Sequence, residues 1–118
     1  MATLLIVDDD AGILSALRRS LRREGWNILL AGSPSEALEI IDQNRVDLIL
    51  SDHKMPGMTG TELLGEVSRR SPETVRILIT GWSEAIDEEE LARIGVGAMV
   101  SKPWDGAELK SVLRQYLA

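Results

Sequence analysis

The chain has 118 residues, a net charge of −6 and no cysteine, which bounds it to one domain with a sizeable core and no disulfide, thiolate metal site or thiol nucleophile. The acidic balance argues against nucleic acid as the main partner. No apolar run nears the ~20 residues of a bilayer span, and the N-terminus lacks a signal peptide's charged start and long apolar segment, so a soluble, cytoplasmic protein with no membrane partner is expected.

Strand and helix patterns alternate from the start. Leu4-Leu5-Ile6-Val7 reads as a strand running into Asp8-Asp9-Asp10. Apolar positions 13, 14, 17 and 21 then mark a helix that stops near Gly25. Its other side carries Arg18, Arg19, Arg22 and Arg23, which reads first as a solvated face and second as a docking face for an acidic partner protein. Trp26 to Ala31 reads as a second strand. Ser33-Pro34-Ser35-Glu36 predicts a helix start, with serine as cap, glutamate three later and proline at the first helical position. A third strand from Val46 ends at Asp52, and the loop His53–Met58 holds the turn dipeptide Pro56-Gly57. His53 reads as a loop residue rather than a ligand.

Thr59-Gly60-Thr61-Glu62 predicts a second capping box, opening a helix with Leu63, Leu64 and Val67 inward. Val75 to Thr80 is the fourth strand. The next helix, roughly Glu84 to Arg93, is crowded with Asp87, Glu88, Glu89 and Glu90 and has the weakest apolar stripe. A fifth strand reaches Lys102-Pro103. The last helix starts at Asp105 and is expected to bury Leu109, Val112, Leu113 and Tyr116. Phe is absent, so the core is aliphatic, as in a parallel sheet buried on both faces.

The pattern is α/β, a (βα)5 three-layer sandwich. Right-handed crossovers place helices on both faces, and the default flavodoxin-like strand order is 2-1-3-4-5. In that order Asp8, Asp9 and Asp52 become neighbours at the carboxyl edge of the sheet, where such folds bind ligands. Three close carboxylates repel unless a cation sits among them. An all-oxygen set suits a hard ion, Mg²⁺ with Mn²⁺ as the alternative. A carboxylate beside such an ion can act as a nucleophile toward a phosphoryl group. An ammonium and a hydroxyl would then neutralise and hold that group. Lys102 and Thr80 are those residue types at matching strand ends, and Gly81 leaves room beside them. Each residue alone has a plain structural reading; Asp10 is expected to be a cap or a surface carboxylate. The joint occurrence is what points to chemistry.

These residues make the chain resemble the receiver domain of bacterial two-component response regulators. The motifs are LLIVDDD, SDHKMPGMTG, LITG and SKPW, spread over the whole chain, and the wording is nearest receivers of HD-GYP-type and hydrogenase-type regulators. The chain would then be a single receiver domain of residues 1–118, cut from a longer regulator. The resemblance implies Asp52 as phosphoacceptor, with Mg²⁺ held by Asp8, Asp9, Asp52 and the Lys54 backbone carbonyl. It implies Thr80 as switch hydroxyl, Lys102 as phosphate contact and a cis Lys102–Pro103 bond. It also implies a sensor histidine kinase or phosphotransfer protein as donor, and an output domain or effector reached through the fourth helix, fifth strand and fifth helix. Such a domain is a signalling module rather than an enzyme, acting only on its own phosphorylation. A phosphorylation-dependent dimer is a further partner implied, although the acidic fourth helix disfavours the charge-paired form common in DNA-binding regulators.

Two departures stand out. Met99 occupies the position where the family carries Tyr or Phe. Methionine can fill the gap but has no ring to swing, so an altered readout on the fifth strand is expected. Trp82 follows the threonine by two, where a bulky indole would hinder water and give a slowly decaying phosphoform. Two other readings compete: a receiver-like protein-binding module independent of phosphorylation, and a haloacid-dehalogenase-type phosphatase. The second is opposed by Asp8-Asp9-Asp10-Ala11-Gly12, which does not match its Asp-x-Asp pattern.

Overall fold

The computed structural model describes residues 1–81 and 86–117. Five strands, β1 (Thr3–Val7), β2 (Asn27–Ala31), β3 (Leu48–Asp52), β4 (Val75–Gly81) and β5 (Val96–Lys102), form one parallel sheet ordered β2-β1-β3-β4-β5. Between and after them run α1 (Ala11–Leu21), α2 (Pro34–Gln43), α3 (Gly60–Arg70), α4 (Glu88–Arg93) and α5 (Gly106–Leu117). The expected strand order is therefore the observed one.

Alternation along the strands divides the core into two layers. Leu4, Ile6, Leu48, Leu50 and Ile77 pack with Leu14 and Leu17 of α1 and Leu109 and Leu113 of α5. Leu5, Val7, Ile49 and Leu78 pack with Ala37 and Ile41 of α2 and Leu63 and Leu64 of α3. Full burial of each leucine, isoleucine or valine among them stabilises the fold by about 1.5–3 kcal/mol relative to exposure. Among the described residues, no helix is long and apolar enough to cross a membrane.

The helix starts follow their capping residues. Asp10 accepts from the Gly12 and Ile13 amides at 2.8 and 3.3 Å, so it is a cap, as expected. Thr59 and Glu62 form the full reciprocal box on α3. At α2 only half of the predicted box forms. Ser33 Oγ accepts from Glu36 N, but the Glu36 carboxylate takes the Gly32 amide at 2.8 Å.

α1 ends in a 3₁₀ turn, Arg22–Glu24, closed by Gly25 at φ +85°, a left-handed conformation that favours glycine. α4 differs from its predicted start. Glu84 lies outside the described residues, and the helix opens at Glu88 because Asp87 caps the Glu89 and Glu90 amides. On α5 the buried line is Leu109, Leu113 and Leu117. Tyr116 is not in it: 39% exposed, it reaches round the sheet edge and its hydroxyl donates to the Gly97 carbonyl at 3.0 Å.

Candidate functional site

Register builds the site. Val7 pairs with Ser51 and Ile79 with Asp52, so Asp8 and Asp52 leave neighbouring strands side by side. Ladder bonds continue past the strand ends, from Asp8 N to the Ala31 carbonyl (3.2 Å) and from His53 N to the Ile79 carbonyl (3.0 Å). Both carboxylates are thus held at fixed depth. Asp8 and Asp52 are almost fully buried, and Asp9 is exposed at the rim. One carboxylate oxygen from each of Asp8, Asp9 and Asp52 lies within 4.8 Å of the others.

Lys102, at the end of β5, sends its Nζ to 2.8 Å from Asp52 Oδ1 and 3.7 Å from Asp8 Oδ2. Neither oxygen accepts a hydrogen bond despite being buried, so the 2.8 Å approach is an ion pair without hydrogen-bond alignment. Asp8 Oδ1 is satisfied by the Asp10 amide at 2.9 Å. Burial pushes the Asp8 carboxyl above its ordinary value of 3.8. The Asp10 amide opposes this, Asp52 reinforces it, Lys102 opposes it and Asp9 reinforces it, in falling order.

Three carboxylates against one ammonium leave two negative charges at the sheet edge, with two buried oxygens lacking donors. Unpaired buried oxygens of this kind are costly. The donor set is all oxygen, so these residues fit a hard divalent cation.

The other expected residues fall around this cluster. Thr80 is buried at the end of β4 opposite Ser101, and Gly81 pairs with Lys102. The Lys102–Pro103 peptide is cis. Lys54 is exposed in the loop after β3. Met99 pairs with Leu78 and is 48% exposed on β5. Trp82 lies outside the described residues. His53 is a half-buried loop residue with Nδ1 3.4 Å from Thr61 Oγ1.

Gly60 entered the sequence reading only as part of the Thr59–Glu62 capping box. Its amide donates to the His53 carbonyl at 2.7 Å. A Cβ there would lie 2.3 Å from the Asp52 carbonyl oxygen. The start of α3 is therefore pressed against the backbone of Asp52 itself.

The response regulator receiver domain family matches residues 4–114. The chain belongs to that family. It is 39% identical over 117 residues to the hydrogenase transcriptional regulatory protein HoxA of Cupriavidus necator, covering 97% of this chain and 24% of that protein. The receiver thus spans about a quarter of the length of the first curated relatives it matches. Among solved structures it resembles a CheY-like receiver domain from Methanospirillum hungatei, with TM-score 0.93, 31% identity and coverage of 99% and 94% of the two chains. It also resembles the response regulator TrrA of Thermotoga maritima in complex with Mg²⁺ and beryllofluoride, with TM-score 0.89, 30% identity and coverage of 99% and 100%. A phosphoacceptor role fits the buried Asp52 of this receiver, and its family is one of signalling domains rather than of classical enzymes.

Proposed function

We propose that this receiver takes a phosphoryl group from the phosphohistidine of a sensor histidine kinase or phosphotransfer protein onto Asp52. An Asp52 oxygen forms the new O–P bond as the N–P bond of the donor breaks, and the released imidazole leaves with the electron pair of that bond. The observation carrying this reading is Asp52 Oδ1: buried, without a hydrogen bond, and 2.8 Å from the Lys102 ammonium. It is a carboxylate oxygen held ready beside a fixed positive charge.

Asp8, Asp9, Asp52 and the Lys54 carbonyl would hold Mg²⁺, or Mn²⁺. The ion when bound supplies charge neutralisation for the phosphoryl oxygens. Lys102 faces the group from the β5 side, and Thr80 is the hydroxyl that follows it inward. Gly81 leaves the approach open, and the Lys102–Pro103 peptide beside it is cis. The Thr80 movement shifts the population of the α4–β5–α5 surface, which an output domain or effector reads. Residues 1–118 act as one receiver domain of a longer cytoplasmic regulator, and DNA contacts belong to other parts of that protein.

The TrrA complex indicates the test. Adding Mg²⁺ and then beryllofluoride should shift the amide resonances of Asp52, Thr80 and Met99 in two separate steps. Asp52→Asn should abolish the second step. A Mg²⁺ response with no beryllofluoride response in the wild type would reject phosphoacceptance.

A further inference from the structure

The carboxyl edge of the sheet is occupied by the site just described, but the opposite end carries a second chemically distinct feature. A groove of about 320 Å³ runs between the tail of α1 and the start of β2, lined by Met1, Arg18, Arg22, Trp26, Asn27 and Ile28. Asn27 pairs with Thr3 at the amino end of β1, so five strand residues, about 16 Å at 3.3 Å each, separate the groove from Asp8. A donor delivering phosphate to Asp52 does not need this end of the molecule.

The groove combines unpaired arginines with an apolar wall. Arg69 and Arg70 pair with Glu66, Arg93 with Glu90 and Arg114 with Glu24, whereas Arg19, Arg23 and Arg45 form no ion pair among the described residues. Among the described residues, Arg18 and Arg22 have no carboxylate within ion-pairing distance. The carboxylate nearest them in sequence, Glu24, is drawn across to α5, where Arg114 holds both of its oxygens at 2.6 and 2.8 Å. A chain of net charge −6 therefore presents unneutralised guanidiniums along one wall of a groove. The facing wall is the apolar surface of Trp26 and Ile28, both only partly buried. β2 is an edge strand without charge or proline, so its outer side lacks the usual devices that discourage pairing.

We infer that this groove docks an extended acidic segment of a partner protein, one that alternates carboxylate and apolar side chains. The spacing fits. Arg18 and Arg22 are one helical turn apart, about 6 Å, and alternate residues of an extended chain are about 6.6 Å apart. A segment lying between the two walls directs successive side chains to opposite sides. Carboxylates then meet the arginine wall, and the intervening apolar residue meets Trp26 and Ile28. Duplex nucleic acid fits poorly, because its charge extends far beyond the groove into the field of an acidic protein.

The test uses a blocked pentapeptide alternating glutamate with leucine. Saturable shifts of the Trp26 indole N–H and the Ile28 amide are expected, weakening with added salt. The Arg18→Gln/Arg22→Gln variant, with a far-UV spectrum confirming its fold, should bind at least about tenfold more weakly. Asp52→Asn should bind as wild type does, which separates this surface from the phosphoacceptor reading. Absence of shifts at millimolar peptide, equal binding by the double variant, equal binding of a glutamate–serine peptide, or tighter binding of a DNA duplex at the same resonances would each overturn the inference.

Discussion

Gly60 and Gly65 share helix α3, yet replacing each with alanine should move stability in opposite directions. A Cβ on Gly60 would lie 2.3 Å from the Asp52 carbonyl oxygen, 2.7 Å from Leu78 Cδ1 and 2.8 Å from His53 Cα. An ordinary carbon–oxygen contact needs about 3.3 Å, so α3 or the end of β3 must yield by about 1 Å. Two of the three atoms are backbone, and retreat of α3 stretches the 2.7 Å bond from Gly60 N to the His53 carbonyl. Overpacking costs about 1–3 kcal/mol and the weakened bond about 1 kcal/mol. Reduced freedom of the unfolded chain returns about 0.4–1 kcal/mol. The net expectation for Gly60→Ala is a loss of about 1–3.5 kcal/mol. At Gly65 the same Cβ would meet only Ile94 Cγ2 at 3.6 Å, an ordinary contact. There alanine should gain about 0.5–1 kcal/mol in a helix interior.

Urea unfolding followed by far-UV circular dichroism measures both variants, and the Gly60 variant should unfold about 1–2 M earlier than wild type. Because the strain falls on the Asp52 backbone, its beryllofluoride affinity should drop as well. Equal midpoints for Gly60→Ala and Gly65→Ala would refute the reasoning that close approach to Asp52 fixes glycine at position 60.

Asp8→Asn should raise the melting temperature of the metal-free protein at neutral pH and remove the rise caused by Mg²⁺, both read by thermal shift with and without chelator. The sign follows from burial, which holds the Asp8 carboxyl above its ordinary value; the folded state then binds the proton more tightly, and stability falls as pH rises through that window. Glu62 is the opposite case, since the Thr59 amide and hydroxyl hold it below 4.5. Its contribution is present above the ordinary value and lost as pH falls through the folded one, so Glu62→Gln should lower stability at neutral pH and match wild type in strong acid. Arg76 donates to the carbonyls of Ile94 (2.9 Å), Pro72 (3.2 Å) and Thr74 (2.8 Å), tying the end of α4 to the turn before β4. Arg76→Met should speed amide exchange in α4 selectively, and unchanged exchange there would reject the tie. Met99→Tyr should change the phosphomimic-induced shifts on β5, and responses identical to wild type would show that residue 99 does not shape the readout.

The fold was legible because each strand is short and apolar, and every following helix except α4, whose Asp87 cap sits in an acidic run, carries an explicit start signal. Asp10, Thr59 and Asp105 cap the helices they precede, and Pro34 opens α2. The aspartates and Lys102 were legible for a different reason: a charged residue directly after a buried apolar strand stands at the sheet edge where α/β folds bind their ligands. Gly60 was hidden because its constraint comes from β3, a partner remote in the fold's logic though near in sequence. Tyr116 was misplaced because a 3-4 spacing marks a face without saying how wide it is. Leu117 closes the buried line, which leaves the tyrosine free to turn toward the sheet edge.

That displaced tyrosine ties β5 to α5. Thr80 pairs with Ser101 and Leu78 with Met99, so under the proposed function a movement of the buried threonine would act on a strand whose outer side chain at position 99 is solvent-exposed. The aromatic ring on this edge comes instead from α5, where the Tyr116 hydroxyl holds the Gly97 carbonyl. Gly97 has no side chain to obstruct it, and a Cβ there would sit 3.3 Å from the Tyr116 oxygen. A shift of β5 therefore strains or relaxes a hydrogen bond to α5 directly, without a ring rotating on β5 itself. Strand and helix are thus joined near the amino end of β5, at Gly97, five residues before Lys102.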